Sequence, residues 1–257
     1  MLNLSNKKII ITGAASGIGK AIAAQSVDCG AIVIAVDIDS DGLERLEKEK
    51  GKNNIIPFVF DASKMEQVEL FFSEIEGYTG YPDCLINNVG IYYGKSILDY
   101  TQEEIDRVLE VNIKSAVYFS KKFAQYKMRN KEHGCIINMS SVSGQESSSD
   151  AIYGLSKAAL IGLTKSNAMN FSPYVRVNAI APGIIDTPMM KTISSSRLAQ
   201  YRERELISEP LTPEQVANTA IFLISDAAKH YTGAVFDINN GCYLRFFPML
   251  VEINEKT

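Results

Sequence analysis

The chain has 257 residues, of which 46% are hydrophobic, with a formal net charge of −4 and a pI of about 5.4. This is enough apolar content for one domain with a full core, and the acidic balance argues against nucleic acid or a membrane surface as a partner. Four scattered cysteines and two histidines do not suggest a zinc site. Three features favour a cytoplasmic protein. The cysteines suit a reducing compartment, no apolar run reaches the length of a membrane span, and there is no room for a signal peptide before the first predicted strand.

The first predicted elements are a strand and a glycine-rich turn. Residues 8–11 are apolar, residues 12–19 read Thr-Gly-Ala-Ala-Ser-Gly-Ile-Gly, and a helical pattern begins at Lys20. In this context glycines let the backbone approach a pyrophosphate, which rests on the helix N-terminus. The spacing is G-x-x-x-G-x-G rather than G-x-G-x-x-G, so the turn alone is weak evidence for a dinucleotide site.

The second predicted strand, residues 31–36, ends at Asp37, eighteen residues after Gly19. A carboxylate about twenty residues beyond the turn can accept from a ribose 2′-hydroxyl and repel a 2′-phosphate. Positions 16 and 38 hold Ser16 and Ile38, so neither offers a basic side chain to bind that phosphate. A solvated aspartate at a strand end is the alternative interpretation. Combined with the glycine turn, Asp37 predicts a preference for NAD over NADP.

The rest of the chain alternates between apolar runs and helical patterns. Five further strands are predicted at residues 55–60, 84–86, 135–139, 175–181 and 234–238. Thr101 with Glu104 predicts a capping box that opens a long helix toward Arg129, and Thr212 with Gln215 predicts another. These elements predict an α/β fold, a Rossmann-like doubly wound parallel seven-stranded sheet with helices on both faces, in one domain over residues 1–257.

Polar and turn residues follow the carboxyl ends of the predicted strands. Because these ends meet along one edge of a parallel sheet, we expect the residues to share one crevice. They are Asp61 and Ala62 after the third strand, Asn88 and Gly90 after the fourth, Ser140 and Ser141 after the fifth, and Pro182, Gly183, Ile185 and Thr187 after the sixth. The Asp61 carboxylate could accept from an adenine amino group.

Tyr153 and Lys157 lie one turn apart in a predicted helix. A cation near a phenol favours its ionised form, so we expect Lys157 to lower the Tyr153 pKa from about 10 and to make the phenol an acid/base near neutral pH. A lone Tyr-x-x-x-Lys is more often an ordinary surface pair. The upstream serines and the glycine turn favour the catalytic interpretation.

Taken in order and spacing, these motifs resemble the short-chain dehydrogenase/reductase family over nearly the whole chain. The matching segments are residues 12–19, 87–90, 140–144, Tyr153 with Lys157, and Pro182-Gly183 with Thr187, together with Asn112. The resemblance implies a tetrad of Asn112, a serine, Tyr153 and Lys157. In it Tyr153 is the acid/base, Lys157 binds the nicotinamide ribose and lowers the Tyr153 pKa, the serine bonds the substrate oxygen, and Asn112 holds a water that links Lys157 to solvent.

Three features depart from the family pattern. Val89 stands where alanine is usual, and Ile238-Asn239-Asn240-Gly241 replaces Val-Asp-Gly-Gly, so the local turn or a subunit contact there can differ. The catalytic serine usually precedes V-x-G, which selects Ser141, and lies thirteen residues before the tyrosine, which selects Ser140. We predict Ser141, because the strand end fixes its position while the loop over residues 145–152 can absorb a deletion.

We therefore predict an NAD-dependent oxidoreductase that transfers a hydride between nicotinamide and a secondary alcohol or ketone without a metal. The predicted cofactor-binding residues are Gly13, Ser16, Gly17, Ile18, Gly19, Asp37, Asp61, Ala62, Asn88, Gly90, Tyr153, Lys157, Pro182, Gly183, Ile185 and Thr187. Alternatives are an NADP-dependent 3-oxoacyl or sugar reductase, a nucleotide-sugar epimerase or dehydratase, whose chains are typically longer, and a non-catalytic NAD sensor, which typically lacks a tetrad member.

Substrate contacts are expected from the loops over residues 91–96, 145–152 and 189–210. We predict that the segment over residues 189–210 is a mobile lid. The alternative is an ordinary surface helix. We also expect a small-molecule substrate and a homo-oligomer, either a dimer or a homotetramer.

Overall fold

Seven parallel strands form one sheet in the computed structural model of the protein, which describes residues 2–243. They are β1 (Lys8–Thr12), β2 (Ile32–Asp37), β3 (Ile55–Val59), β4 (Cys84–Asn87), β5 (Gly134–Met139), β6 (Val175–Pro182) and β7 (Val235–Ile238). Their order across the sheet is β3-β2-β1-β4-β5-β6-β7. The predicted parallel sheet is confirmed, with each strand within about two residues of its expected bounds.

Helices cover both faces of this sheet. They are α1 (Gly17–Asp28), α2 (Ser40–Lys50), α3 (Met65–Thr79), α4 (Gln102–Leu109), α5 (Ser115–Asn130), α6 (Ala151–Asn170), α7 (Ser195–Arg202) and α8 (Pro213–Ile224). Successive strand side chains point to opposite faces. Ile9 and Ile11 therefore pack in one core with residues of α1, α2 and α8, while Ile10 packs in a second core with residues of α3 and α5.

The strand order reverses beside β1, which pairs with β2 on one side and β4 on the other. The crevice outside the carboxyl ends of the strands at such a reversal is where doubly wound folds bind ligands. Within residues 2–243, no helix combines the length and the apolar run needed to cross a bilayer.

The helix predicted from Thr101 toward Arg129 contains an interruption that the sequence pattern did not reveal. Its N-terminal capping box is present, since Thr101 Oγ1 accepts from Glu104 N–H at 3.2 Å and Glu104 Oε2 accepts from Thr101 N–H at 3.1 Å. Between α4 and α5, a π-helical turn spans Glu110–Lys114 and contains Asn112. Such single turns are frequent at functional sites because the extra residue redirects the side chains around it.

Candidate active site

The carboxyl ends of the strands open into one large cleft. Nearly all the predicted site residues line it, whichever strand they follow: Gly13, Ser16, Gly17, Ile18, Asp37, Asp61, Ala62, Asn88, Gly90, Ser141, Tyr153, Lys157, Pro182, Gly183, Ile185 and Thr187. Gly19 and Asn112 do not line the cleft, and both lie behind its wall. The shared sheet edge therefore brings together segments that are far apart in the chain.

The glycine turn is shaped for close backbone approach. Gly13 has φ +69°, and a Cβ atom built there would lie 2.9 Å from the Asn88 side-chain nitrogen. A Cβ atom on Gly19 would overlap the Gly13 carbonyl oxygen, so Gly19 lets α1 pack against the turn. The Ser16 side chain makes no capping bond to α1, which leaves the first-turn amides free to bind an anion.

Asn88 lines the cleft, and its amide nitrogens hold the glycine turn in place. Its Nδ2 donates to the carbonyl oxygens of Thr12 and Gly13, each at 3.1 Å, and its backbone N–H donates to Thr12 Oγ1 at 3.0 Å. Both amide hydrogens are thus directed at the β1 end. Asn88 contributes to the cleft by fixing the glycine turn, a role that the family motif alone did not specify.

Asp37 lies at the end of β2 with its carboxylate tied to the turn. Oδ2 accepts from Ala15 N–H at 2.9 Å and Oδ1 accepts from Asp39 N–H at 3.1 Å. Each oxygen has two lone pairs, so each can still accept one further hydrogen bond. The adjacent Ile38 is 67% exposed and lines the cleft, so no basic side chain follows Asp37 there.

Asp61 is already engaged by protein groups. Its Oδ1 accepts from the N–H and the hydroxyl of Ser63 at 2.9 and 2.7 Å, and its Oδ2 pairs with Arg107 Nη1 at 3.0 Å. Partial burial opposes ionisation, but the Ser63 hydrogen bonds and the Arg107 charge together hold the pKa of Asp61 below its ordinary value. Arg107, on α4, also lines the cleft and was not predicted. Its spacing in the sequence carried no signal.

The two candidate serines have different partners. Ser141 lies beside the Tyr153 phenol, whose pKa it acts to lower, and it accepts from Ser143 N–H at 3.1 Å. Ser140 is buried and donates its hydroxyl hydrogen to the Lys157 carbonyl oxygen at 2.8 Å. The geometry places Ser141 against the phenol and uses Ser140 to attach the end of β5 to α6.

The pKa of Tyr153 corrects our expectation. Burial of the phenol raises its pKa to about 12, and the Ser141 hydroxyl beside it opposes this only in part. Burial also lowers the pKa of Lys157 to about 8. The Lys157 Nζ atom lies 5.6 Å from the Tyr153 ring centroid and donates to the Met139 carbonyl oxygen at 2.9 Å. The prediction that Lys157 lowers the Tyr153 pKa is wrong for the free protein, because desolvation disfavours the charged form of both groups.

Asn112 joins the π-helical turn to the loop after β4. Its Oδ1 accepts from Ile91 N–H at 2.8 Å, and its Nδ2 donates to the Ile91 carbonyl at 3.0 Å and to Ser156 Oγ at 2.9 Å. A Cβ atom on Gly90 would lie 3.3 Å from Lys157 Nζ and 3.5 Å from Asn112 Oδ1, so the two side chains flank the same glycine. The Asn112 side chain positions this loop, and its Oδ1 can still accept one further hydrogen bond. The water that we expected it to hold stays a prediction.

All three loops expected to contact substrate supply lining residues. The Tyr92 ring packs edge-on to Tyr153 with centroids 4.9 Å apart. The remaining lining residues from these loops are Ile91, Glu146, Ser147, Ser148, Met189, Met190, Ile193, Tyr201 and Arg204. Burial raises the pKa of Glu146 although Arg204 opposes this, and burial raises the pKa of Cys242, which also lines the cleft, to about 11.

The departure at residues 238–241 has a local role. The Asn240 carbonyl oxygen accepts from Leu206 N–H at 2.7 Å, and Asn240 Nδ2 donates to the Glu209 carbonyl oxygen at 2.8 Å. Asn240 has φ +53°, a conformation that asparagine tolerates better than most residues. This turn therefore anchors the C-terminal end of the segment over residues 189–210.

Comparison with known proteins gives matches that cover nearly the whole chain. A sequence model for the family described as enoyl-(acyl carrier protein) reductase matches residues 13–243. The 3-oxoacyl-(acyl-carrier-protein) reductase of Thermotoga maritima is 35% identical, with 93% of this chain and 99% of that protein covered. Dehydrogenase/reductase SDR family member 6 of Aquarana catesbeiana is 36% identical, with 94% and 99% covered.

A solved structure shows the same backbone arrangement. The crystal structure of 3-ketoacyl-(acyl-carrier-protein) reductase from Brucella melitensis, complexed with NADH, superposes with a TM-score of 0.87 at 28% identity. The match covers 93% of this chain and 99% of that one.

Proposed function

Because the chain belongs to the short-chain dehydrogenase/reductase family, we propose that it is an NAD-dependent oxidoreductase that interconverts a secondary alcohol and a ketone. One observation carries the proposal. Tyr153, with Ser141 and Lys157 beside it, lines the same cleft as the glycine turn between β1 and α1. A proton-transfer group and a dinucleotide cradle thus share one cavity.

The proton chemistry belongs to Tyr153. In ketone reduction the neutral phenol donates its proton to the carbonyl oxygen, and in alcohol oxidation the phenolate accepts the hydroxyl proton. Since the free-protein pKa is about 12, the phenol is in the neutral, proton-donating form at physiological pH. Ser141 is placed to hydrogen-bond the same substrate oxygen and to orient it toward Tyr153. Asn112 and Ser140 keep the surrounding loop and helix in register.

The residues present fit a nicotinamide dinucleotide. The cradle at Gly13 would be filled by any side chain, and the first-turn amides of α1 have no side-chain cap. We propose that the pyrophosphate binds there, the adenosine ribose at Asp37, and the nicotinamide ribose at Tyr153 and Lys157. The bound cofactor supplies or accepts the hydride.

Preference for NAD rests on Asp37. Its carboxylate retains acceptor capacity for a ribose diol, and a 2′-phosphate placed against it would set like charges together in a partly desolvated site. Arg107, a cation that lines the same cleft, is paired with Asp61 at 3.0 Å. The complex of the Brucella melitensis relative with NADH is consistent with this assignment.

A 3-oxoacyl thioester reductase is the second candidate function. The identity to the Thermotoga maritima 3-oxoacyl-(acyl-carrier-protein) reductase favours it, and Tyr153 would act on a 3-oxo group in the same way. An epimerase or an inactive sensor has less support, because the relatives described above are reductases or dehydrogenases by name and all four tetrad positions are filled.

The direct test measures NADH formation from NAD with a panel of secondary alcohols, polyols and hydroxy acids, and NADH or NADPH consumption with ketones and a 3-oxoacyl thioester. Tyr153→Phe should lower turnover by about two orders of magnitude or more, as removal of a general acid does. The NAD dissociation constant should change little. Near-wild-type turnover in this variant would show that another group transfers the proton.

We also propose that the segment over residues 189–210 is a lid and that the protein forms a homodimer or homotetramer. The segment lines the cleft through Met189, Met190 and Arg204. Exposed apolar side chains on the outer surfaces of α5 and α6, such as Val117 and Leu155, offer area for a subunit contact. Light scattering in solution measures the assembly directly, and a monomer would contradict it.

A further inference from the structure

A fully buried carboxylate, Asp150, lies at the N-terminus of the catalytic helix α6. It is 0% exposed, and its Oδ1 accepts from the backbone N–H of Tyr153 at 2.9 Å. This bond caps the helix. Serine, threonine or asparagine in the same place would cap it as well, so capping alone does not require a carboxylate.

The second oxygen bonds a different part of the chain. Asp150 Oδ2 accepts from the Gly94 N–H at 3.0 Å and from the Tyr100 hydroxyl at 2.7 Å. Gly94 has φ +69°, and a Cβ atom on it would lie 3.2 Å from the Tyr92 ring. The loop after β4 is thus turned tightly at the point where Asp150 holds it.

The two ends of this bridge meet in the cleft. One oxygen fixes the backbone of Tyr153, the other fixes the loop that carries Tyr92, and the two rings pack edge-on with centroids 4.9 Å apart. Burying a carboxylate costs several kcal/mol unless donors replace its water. Here three donors do so, and two of them belong to the loop.

We propose that Asp150 is a positioning residue that sets the separation between the Tyr92 wall of the substrate cleft and the Tyr153 hydroxyl. The assignment rests on the proposed function of Tyr153. Asp150 contacts neither the cleft nor a reacting atom. It acts through the two tyrosines, by holding the loop after β4 against the N-terminus of α6.

The negative charge of Asp150 also affects the Tyr153 pKa, and the pH dependence of turnover reports this effect. A purely structural role of Asp150 would leave that pH dependence unchanged. The groups that face Tyr153 are Lys157 on α6, Ser141 after β5, Tyr92 on the loop and Asp150 below it. Tyr201 and Arg197, from α7, act on Tyr92. The Asp150 charge raises the Tyr153 pKa, after the larger effect of burial. Without that charge, the phenolate needed for alcohol oxidation forms at lower pH.

Asp150→Asn separates the two halves of the bridge. Asparagine keeps an amide oxygen to cap Tyr153, but its NH₂ cannot accept from Gly94 or Tyr100. We expect turnover to fall by about tenfold or more through misplacement of the tyrosines, with the NAD dissociation constant within about twofold. The pH midpoint of the rise in alcohol oxidation should move down. Tyr100→Phe keeps the charge and removes one donor, so turnover should fall without that downward shift.

The control is Thr101→Ala, which removes the capping box of α4 at an exposed position outside the cleft. It should lower the melting temperature and leave turnover unchanged. If Thr101→Ala lost as much turnover as Asp150→Asn, the effect of Asp150 would be explained by a general loss of stability, and the proposal would be overturned. Wild-type turnover in Asp150→Asn would overturn it as well.

Amide hydrogen exchange tests, independently of activity, whether Asp150 links the loop at Gly94 to α6. In Asp150→Asn the Gly94 amide should exchange faster while the Tyr153 amide stays protected, and unchanged Gly94 protection would overturn the proposal. If the wild-type protein oxidises no alcohol and reduces no ketone, the proposed function fails, and these exchange rates still establish or refute the link from Asp150 to the loop.

Discussion

The Lys157 ammonium donates a hydrogen bond to the Met139 carbonyl oxygen at 2.9 Å, from a position that is 3% exposed. The bond attaches α6 to the last residue of β5 and aims the amine at the cleft wall. One bond to a neutral carbonyl does not replace the hydration of an ammonium group, and burial lowers the Lys157 pKa from 10.5 to about 8. The folded protein therefore favours the neutral amine more strongly than the unfolded chain does.

Lys157→Met should stabilise the protein near neutral pH while abolishing most of its turnover. Below pH 8 the Lys157 amine of the wild-type protein is protonated in both the folded and the unfolded state. Burying this charge on folding lowers the free energy of unfolding. Removing it should raise that energy by about 1–2 kcal/mol, after allowing for the lost Met139 bond. As pH rises from 8 toward 10.5, the native lysine loses its proton before the unfolded one, so the advantage of methionine should disappear. Urea denaturation at pH 7 and pH 10 measures both effects, and a gain that persists at pH 10 would contradict the assigned cause.

The serine pair gives a second prediction. Ser141→Ala should lower turnover by about two orders of magnitude and leave NAD affinity largely unchanged, because it removes the bond that orients the substrate oxygen. Ser140→Ala is the matched control. It removes the bond to the Lys157 carbonyl, so it should lower stability by about 1 kcal/mol with turnover close to that of the wild type. Steady-state kinetics with thermal melts separate the two variants, and the reverse ranking in turnover would assign the catalytic role to Ser140.

Cofactor choice tests Asp37. Asp37→Asn retains an oxygen that can accept from Ala15 N–H and removes the charge, whereas Asp37→Ala removes both. Relief of repulsion with a 2′-phosphate should reduce the preference for NAD over NADP by about tenfold or more in either variant. If charge is the cause, the asparagine variant should lose discrimination as fully as the alanine variant while losing less stability, because it keeps one of the two oxygens that accept from Ala15 and Asp39 N–H. A wild-type kcat/KM that is higher with NADP would refute the preference itself.

Amide hydrogen exchange tests the lid. Among the residues of α7, none is buried, and the segment is held at its end by the Asn240 bonds to Leu206 and Glu209. Few apolar anchors allow local opening at low free energy. Peptides from residues 189–205 should exchange quickly in the free protein and become protected when NAD and a substrate analogue are both bound. Equal exchange in both states would identify the segment as fixed scaffold.

The positions of the site residues were predictable from the sequence alone. The apolar run ending at Thr12, the glycine turn and the strand ending at Asp37 are local patterns, and parallel pairing carries their carboxyl ends to one edge whatever the intervening helices contain. Tyr153 and Lys157 share a helix face for an equally local reason. Seven strands and most of the cleft lining follow from such short-range rules.

Tertiary structure alone decided the energetics and the cross-chain contacts. Whether Tyr153 is easier or harder to ionise depends on how much water the rest of the fold removes from the phenol, and burial outweighed the helical spacing of Lys157. The bridge from Asp150 to Gly94 and Tyr100 joins groups 56 and 50 residues apart, at an aspartate that in the sequence is one more polar residue before a helix. Local pattern specifies which residues reach the sheet edge. Solvent exclusion and long-range packing determine their protonation and their partners.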